Sequence, residues 1–488
     1  MTEPRPDEAG TAPIRSNSVV DEPRTDDGPL ANNGRDAAFA STGVGATIQA
    51  SNAAPRIETE SGPASRDEDF GASLSIFHSF HYRDYRWLWL GNTFSSAAMW
   101  VQQTTMGWVA YDLTGSGALL GGINSVRHLP PLVAAPFAGV AADRYSRNSV
   151  VAVSQVLLFL NALLLAAAIA FHVLHVWQLF AFALVAGTLN AFNQPARQTM
   201  VFDVVPRSAA SNAIALNSIA GNATRTLGPM AGGGLIVLFG PAENFLVQAC
   251  AYLGVLFTVT AIQRFPPRLQ ASRRNSVFKD MAEGYGWAIR NPRARLLVLM
   301  MTMYPAFVIP VHSALMPIFA KDVFHVGADG LGLLLSALGV GGLIGGFLAA
   351  HLNSVDRRGL LQLNALFVVS GFLALYGLIG GLTHNLWIGI ALLVLSGVGG
   401  SLLSTTNQTV LQLLAPDHMR GRITGILNVQ AIFASAGILM AGIAADVFGP
   451  VAVAMASGSM MFTIGLLILA FSPRMRGMRL SRLGSESA

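Results

Sequence analysis

Twelve long apolar runs constrain the fold of this chain more than any other feature. A helix needs about 20 apolar residues to cross the hydrocarbon core of a bilayer, and runs of this length fall into two groups of six. The first group lies near residues 87–110, 118–140, 149–171, 177–199, 212–239 and 243–263. The second lies near 295–319, 329–351, 359–381, 386–408, 423–446 and 450–472. The sequence therefore predicts an all-α membrane protein with twelve transmembrane helices.

The charged residues are few, and their distribution separates the N-terminal segment from the rest. Only 12% of the residues are charged and 52% are hydrophobic, whereas soluble domains carry about twice that share of charge. Residues 1–70 hold 6 Lys and Arg against 13 Asp and Glu and show no apolar period. We expect residues 1–74 to form a disordered cytoplasmic tail rather than a cleaved signal peptide. This tail is either a dispensable leader or a docking segment.

The basic residues predict which loops face the cytoplasm, because Lys and Arg accumulate on that side. Beyond residue 70, 22 of the 25 basic residues fall on the side of the N-terminus, including the central loop 264–294 and the basic tail 473–488. The opposite side carries only Lys321. We therefore expect both termini to be cytoplasmic and the chain to lie in the inner membrane. The two remaining arginines, Arg127 and Arg225, lie within predicted spans.

The two groups of spans resemble each other at an offset close to 210 residues. The stretch "FAGVAADRYSRNSVV" (137–151) aligns with "FLAAHLNSVDRRGLL" (347–361). Six spans is an even number, so both copies insert in the same orientation, as in transporters built from parallel repeats. The sequence predicts two six-helix bundles, residues 75–263 and 295–472, with a cavity between them.

The loop after the second span carries a recognisable motif. "GVAADRYSR" (139–147) resembles the signature loop of the major facilitator superfamily, and the matching residues are Gly139, Asp143, Arg144 and Arg147. It departs from that pattern at Ala141, Ser146 and Asn148. The two arginines can hold a carboxylate, for which Asp203 is the candidate. Such a cluster would close an inner gate; the alternative is that the arginines only set topology.

A longer stretch narrows the resemblance to one branch of the superfamily. "FHYRDYRWLWLGNTFSSAAMWVQQTTMGWVAYDLTGSGALLGG" (80–122), followed by "RHLPPLVAAPFAGVAADR" (127–144), is similar to the enterobactin-exporter-like branch, also called transmembrane secretion effectors. The similarity covers about residues 75–475. It implies the major facilitator fold, no cofactor, and export of a small organic molecule.

The predicted fifth span contains "RTLGPMAGGG" (225–234), which resembles part of the Gly-Pro motif of superfamily antiporters. The matching residues are Gly228, Pro229, Gly232 and Gly233, whereas Ala215 and Thr224 replace earlier glycines of that motif. Proline frees a backbone carbonyl and glycines permit close helix contact. The motif either packs helices or helps to set the direction of transport.

The arginines at mid-depth are candidates for substrate binding. A charged side chain there costs several kcal/mol unless it faces a wet or polar interior. At the repeat offset the counterparts of Arg127 and Arg225 are Ala337 and Ser435, so the repeat does not require the charges. They either attract an anion to the cavity or tie helices together, with Arg127 capping carbonyls freed by Pro130 and Pro131.

Other polar residues in the spans extend this candidate set. Substrate candidates in the cavity are Asn92, Gln102, Asn124 and Tyr304, with His312, Asn407 and Gln408 as further ones, and Trp100 and Trp108 stand at the cavity wall or the membrane interface. No Asp or Glu beyond residue 70 falls near the middle of a span. The proton-coupling candidates are therefore Asp112 and His128. The alternative for Asp112 is an ordinary turn residue, and the alternative for His128 is a hydrogen-bonded spacer between helices.

These features predict a monomeric secondary exporter that carries a drug-like or siderophore-like molecule, with anions favoured by the arginines, and is driven by protons. The sequence has no cysteine or histidine cluster with metal-ligand spacing, no phosphate-binding glycine loop and no nucleophile–base pair. We therefore expect no metal, no ATP-driven pumping, no enzymatic activity and no nucleic-acid partner. The alternatives are an importer of an organic anion on the same fold and, less favoured, a membrane sensor or enzyme.

Overall fold

The computed structural model describes residues 77–130, 146–262, 277–416 and 420–483. Helices dominate this part of the chain, and no strand occurs in it. The predicted tail 1–74 and the motif residues Gly139, Asp143 and Arg144 lie outside the described residues.

The first half of the protein consists of six long helices. They are α1 (Arg83–Thr114), α2 (Gly117–His128), α3 (Arg147–Ala170), α4 (Val176–Val204), α5 (Arg207–Phe239) and α6 (Pro241–Thr260). Gly115 ends α1 in the left-handed conformation, and the Ser116 side chain then caps α2 by accepting from the backbone N–H of Leu119. The tight turn between them follows from this pair of residues.

The second half begins after a helix in the central segment. This helix, α7 (Val277–Arg290), lies where the sequence predicts a loop. The next six are α8 (Pro292–Val323), α9 (Ala328–His351), α10 (Arg358–Thr383), α11 (Leu386–Leu414), α12 (Arg420–Phe448) and α13 (Pro450–Phe471), and two short helices follow, α14 (Pro473–Arg476) and α15 (Leu480–Leu483).

Eleven of the twelve predicted spans coincide with one of these helices, and the second, 118–140, does so over its described part, Gly117–His128. Nine helices within the described residues are long and apolar enough to cross a membrane. The other three are α1, α2 and α5. Helix α2 is described over only 12 residues, and α1 and α5 carry many polar side chains. Large apolar side chains such as Leu164 and Phe347 point outward, as expected of a lipid-facing surface. The all-α membrane architecture is confirmed; the count of twelve spans stays a prediction.

The halves contact each other reciprocally: α2 packs on α12, and α5 packs on α9. Helices α2 and α9 are second in their halves and α5 and α12 are fifth, so the pairing is the one a two-fold axis produces. Glycines permit both contacts. A Cβ on Gly121 would lie 2.8 Å from the carbonyl oxygen of Ile438 on α12, and one on Gly332 would lie 2.7 Å from that of Pro229 on α5.

One end of the bundle, the turn end, carries residues 115–116, between α1 and α2. The other, the tail end, carries residues 473–483, after α13.

Candidate functional site

Arg225 of α5 lies over an aromatic ring of α1. Its guanidinium carbon is 5.7 Å from the centroid of the Trp100 ring, within the range of a cation–π interaction. Gly228 lies one turn further on the same face of α5, and a Cβ there would be 2.7 Å from the Trp100 Cβ. The bare backbone at Gly228 therefore leaves room for the indole beneath the guanidinium.

The second half faces this cation with Tyr304 and His312, both on α8. Both side chains lie near enough to the Arg225 guanidinium for its positive charge to act on them. Arg225 is exposed and the two α8 side chains are half-buried, so the group borders open space rather than packed core. Residues from both halves thus surround one charge.

Helix α11 holds the two α8 side chains in place. A Cβ on Gly400 would lie 2.8 Å from the Tyr304 hydroxyl oxygen, and His312 Nε2 lies 3.0 Å from Ser396 Oγ. Ser396 donates its own hydroxyl hydrogen to the carbonyl oxygen of Val369, 3.3 Å away. His312 Nε2 therefore donates to Ser396, which leaves Nδ1 of the neutral ring free to accept.

Helix α8 is distorted where it carries these residues. It contains π-helical turns over Tyr304–Val308 and Pro310–Ala314, and such turns are frequent at functional sites. Pro305 and Pro310 lack the N–H groups that a regular helix would use. The run "YPAFVIPVH" signals this distortion, but the sequence analysis named only Tyr304 and His312 and missed the prolines.

Arg127 faces its own half. Tyr252 on α6 lies near enough to its guanidinium for the positive charge to act on the phenol. Tyr252 is buried, donates to Gln102 Oε1 at 3.3 Å and accepts from Gln248 Nε2 at 2.9 Å. Gln102 is also buried, so this cavity candidate lies within a polar network inside the first half. Next to Arg127, His128 is exposed.

Arg197 is a third arginine within a predicted span, after Arg127 and Arg225, although the count of basic residues assigns it to a cytoplasmic segment. The structure places Arg197 inside α4, only 8% exposed. Its Nε donates to Asn92 Oδ1 at 3.0 Å, and Asn92 Nδ2 donates to Asn217 Oδ1 at 3.1 Å. The cavity candidate Asn92 is thus bound within a polar cluster of the first half. The position of Arg197 inside the predicted run 177–199 was the sequence signal for its burial.

Asn124 also bonds locally. Its Nδ2 donates to the carbonyl oxygen of Leu120, one turn earlier on α2, at 3.0 Å.

At the turn end, the polar contacts cross between the halves. Asp446 of α12 accepts from Ser116 Oγ at 2.8 Å and from the backbone N–H groups of Gly117 at 2.5 Å and Ala118 at 2.9 Å, so it caps α2. Lys321 Nζ lies 2.6 Å from Asp112 Oδ1. The Tyr111 hydroxyl donates to Asp322. The proton-coupling candidate Asp112 is therefore an exposed member of this seam.

At the tail end, one of the two arginines of the signature loop, Arg147, is paired with Asp203 as the sequence predicts. Arg147 Nη1 lies 2.6 Å from Asp203 Oδ2. These residues belong to α3 and α4 of the same half, so this contact by itself does not join the two halves.

The Gly-Pro motif packs α5 against a helix of each half. A Cβ on Gly232 would lie 3.3 Å from the Val101 Cα on α1, and Gly233 abuts Ala328 on α9. Close packing of the motif is therefore observed.

The Arg225 group has the chemistry to bind an anion that carries a planar ring. A guanidinium and a phenol hydroxyl donate to carboxylate or phenolate oxygens, and an indole offers an apolar face. Within the described residues, no three His, Cys, Asp or Glu side chains are grouped so that they could hold a metal ion.

Comparison with known proteins relates the chain to transporters. The sequence pattern of the family described as transmembrane secretion effectors matches residues 74–483. The staphyloferrin A transporter of Staphylococcus aureus is 25% identical over 74% of this chain and 88% of its own length. The enterobactin exporter EntS of Shigella boydii is 30% identical over 70% of this chain and 80% of its own.

A solved structure supports the fold. The crystal structure of a D-xylose-proton symporter superposes with a TM-score of 0.60 at 14% identity, over 83% of this chain and 99% of that one.

Proposed function

The chain belongs to the transmembrane secretion effector family of the major facilitator superfamily, and on that premise we propose that it is a proton-coupled exporter of small organic anions. The group formed by Arg225, Trp100, Tyr304 and His312 carries this proposal. Both halves contribute to it, so a bound substrate would sense their relative motion. The names of two relatives, which specify siderophores, support a substrate rich in carboxylate or catecholate groups.

The seam at the turn end supports alternating access in this proposal. With both termini in the cytoplasm, the turn end faces outward, and Asp446, Lys321 and Asp322 hold the halves together there. The substrate then enters the Arg225 group from the cytoplasm and leaves when this seam opens. We place the chain in the inner membrane and expect one copy to suffice, because the group is complete within a single chain.

Proton coupling would act on the same seam. Protonation of Asp112 from the outside removes its attraction for Lys321 and so favours opening. His128, exposed beside Arg127, is the second candidate for the proton.

The test uses everted membrane vesicles that contain the full chain and are energised by respiration. The probes are enterobactin and staphyloferrin A, with ethidium as a cationic probe. The proposal expects the vesicles to accumulate at least one of the two siderophores, and to lose this accumulation when an ionophore collapses the pH gradient.

The decisive variant is Arg225→Ala. A hydrogen bond to a charged group contributes about 1.5–3 kcal/mol, so we expect the KM for the anionic probe to rise about 10- to 100-fold. Arg207→Ala is the matched control, because Arg207 is an exposed arginine at the start of the same helix. Equal effects in the two variants would reject the Arg225 site.

The direction of transport distinguishes the proposed exporter from the alternative, an importer of an organic anion. Accumulation by right-side-out vesicles, with none by everted vesicles, would overturn export while leaving the Arg225 site intact. Failure of all three probes in both orientations would overturn the proposed substrate class.

A further inference from the structure

The chain folds back on itself after its last long helix. Met475 and Met478 follow α13 and are 0% and 2% exposed. The backbone N–H of Gly359, at the start of α10, donates to the carbonyl oxygen of Met478 at 3.3 Å. Residues 473–483 are therefore packed against the loop between α9 and α10, and we call them the docked tail.

Asp356 anchors the docked tail from that loop. Its carboxylate accepts from the backbone N–H of Ser481 at 2.9 Å, and its carbonyl oxygen accepts from that of Leu480 at 2.8 Å. The Ser481 bond lowers the pKa of Asp356, with smaller contributions from Arg479 and Arg357. The stability that this bond adds is present at neutral pH and is lost only as the pH falls through that lowered pKa, below the ordinary 3.8.

Gly359 makes the contact possible. The backbone carbonyl of Met475 lies where a side chain at position 359 would begin. Any larger residue there would push the docked tail away from α10, so the position of the tail depends on this glycine.

Docking fixes the direction of the basic side chains. The two methionines point inward, whereas Arg474, Arg476 and Arg479 are exposed, as is Arg357 on the adjoining loop. Among the described residues, none of these four arginines forms an ion pair with a carboxylate. They form a cationic surface on a fixed backbone, in which the Asp356 carboxylate offsets part of the charge of Arg357 and Arg479.

This surface directly follows a membrane span. The span Pro450–Phe471 ends three residues before Arg474, and Phe471 is 81% exposed, as an apolar residue in contact with lipid would be. Arginines directly beyond a membrane span attract anionic lipids. Topology alone requires basic residues on this side but does not require them to be docked.

We propose that the docked tail and Arg357 form a binding site for the headgroups of anionic phospholipids in the adjoining leaflet. The phosphate oxygens accept from the guanidinium groups, and the acyl chains lie along the exposed end of α13. This site is separate from the Arg225 group and does not depend on what the chain transports.

The experiment measures which lipids stay with the purified full chain. The protein is equilibrated with equal amounts of phosphatidylglycerol and phosphatidylethanolamine of the same acyl composition, and retained lipid is quantified by mass spectrometry. We expect phosphatidylglycerol to be enriched. The variant Arg474→Gln, Arg476→Gln, Arg479→Gln should reduce the enrichment about tenfold or more, since each arginine near a membrane surface contributes measurably.

The matched control removes three exposed arginines from the first half: Arg83→Gln, Arg86→Gln and Arg207→Gln. An equal loss of enrichment in this control would overturn the proposal, because total charge would then explain retention. Displacement of the lipid by inorganic phosphate would also overturn it, since the surface would then bind free anions.

A second variant tests the role of docking. Gly359→Leu keeps every arginine but displaces the tail, which should expose Arg474 and Arg476 to faster cleavage by trypsin. We expect it to lose the enrichment as well. Full enrichment in a variant whose tail is cleaved faster would show that the fixed backbone is unnecessary and would overturn the site as proposed.

Discussion

Arg225 and Arg127 are two arginines at mid-depth in helices of the same half, yet they differ in which half supplies their neighbours. Arg225 interacts with Tyr304 and His312 of the second half, whereas Arg127 interacts with Tyr252 of its own half. A charge contacted from both halves changes its surroundings when the halves move. Among the described residues, the neighbour found for Arg127 belongs to its own half, and such a neighbour moves with the charge. The comparison teaches that membrane depth alone does not assign a role to a charge within a span.

Arg127→Leu should show most strongly that Arg127 and Arg225 have different roles. We expect loss of the electrostatic contact with Tyr252 to cost about 1–3 kcal/mol of stability, seen as a lower Tm of the purified protein. The KM for an anionic substrate should stay within about threefold of the wild type. A large rise in KM with an unchanged Tm would place Arg127 in the binding site and break the comparison.

Trp100→Leu should sharpen the assignment of Arg225. It removes the ring under the guanidinium, and a cation–π contact contributes about 0.5–2 kcal/mol. We therefore expect the KM for the anion to rise about 2- to 30-fold. Trp108→Leu, on the same helix, is the control, and an equal rise there would indicate a general packing defect in α1.

Asp446→Asn extends the comparison to the seam at the turn end. The variant weakens a cap on α2 that comes from the other half, and a capping carboxylate contributes about 1 kcal/mol. We expect the population with an open turn end to grow about fivefold. Spin labels on His172→Cys and Thr383→Cys, with Cys250→Ser, would report the separation of the halves.

The control for that measurement is Glu243→Gln, an exposed acid at the same end that contacts Gly240 of its own half. Equal label distances in Asp446→Asn and the wild type would show that the cap does not hold the seam.

Asp112→Asn should have the smallest effect on the seam. Its ion pair with Lys321 is exposed, and exposed pairs contribute about 0–1 kcal/mol. We expect the open population to change less than about threefold, and less still at high salt. Proton-driven transport that persists in Asp112→Asn would overturn the proposed role of Asp112 in proton coupling and leave His128 as the candidate.

Much of the fold follows from the sequence because apolar length is a local signal. Eleven of the twelve predicted spans coincide with a helix, and the second does so over its described part. The sequence predicts the central segment 264–294 only as a cytoplasmic loop, and the structure adds that residues of mixed polarity form α7 within it. The count of basic residues, by contrast, placed Arg197 in a cytoplasmic segment, although the structure buries it inside α4.

The site was predicted as separate residues and not as a group. Arg225 and Tyr304 are apparent from the sequence as polar residues within apolar runs. Asn92 and Gln102 belong to the same class, yet both are hydrogen-bonded within the first half. Polarity within a span predicts that a side chain avoids lipid, but it does not distinguish a cavity from a polar core.

The sequence by itself determined that this chain is an all-α membrane protein of a transporter family, because span length, the repeat and the loop motifs are properties of consecutive residues. Only the tertiary structure decided that Arg225 faces Trp100, Tyr304 and His312. That juxtaposition joins residues more than 200 positions apart on three helices. It depends on how α5 and α8 are rotated, and helix rotation is set by packing between helices rather than by sequence within any one of them.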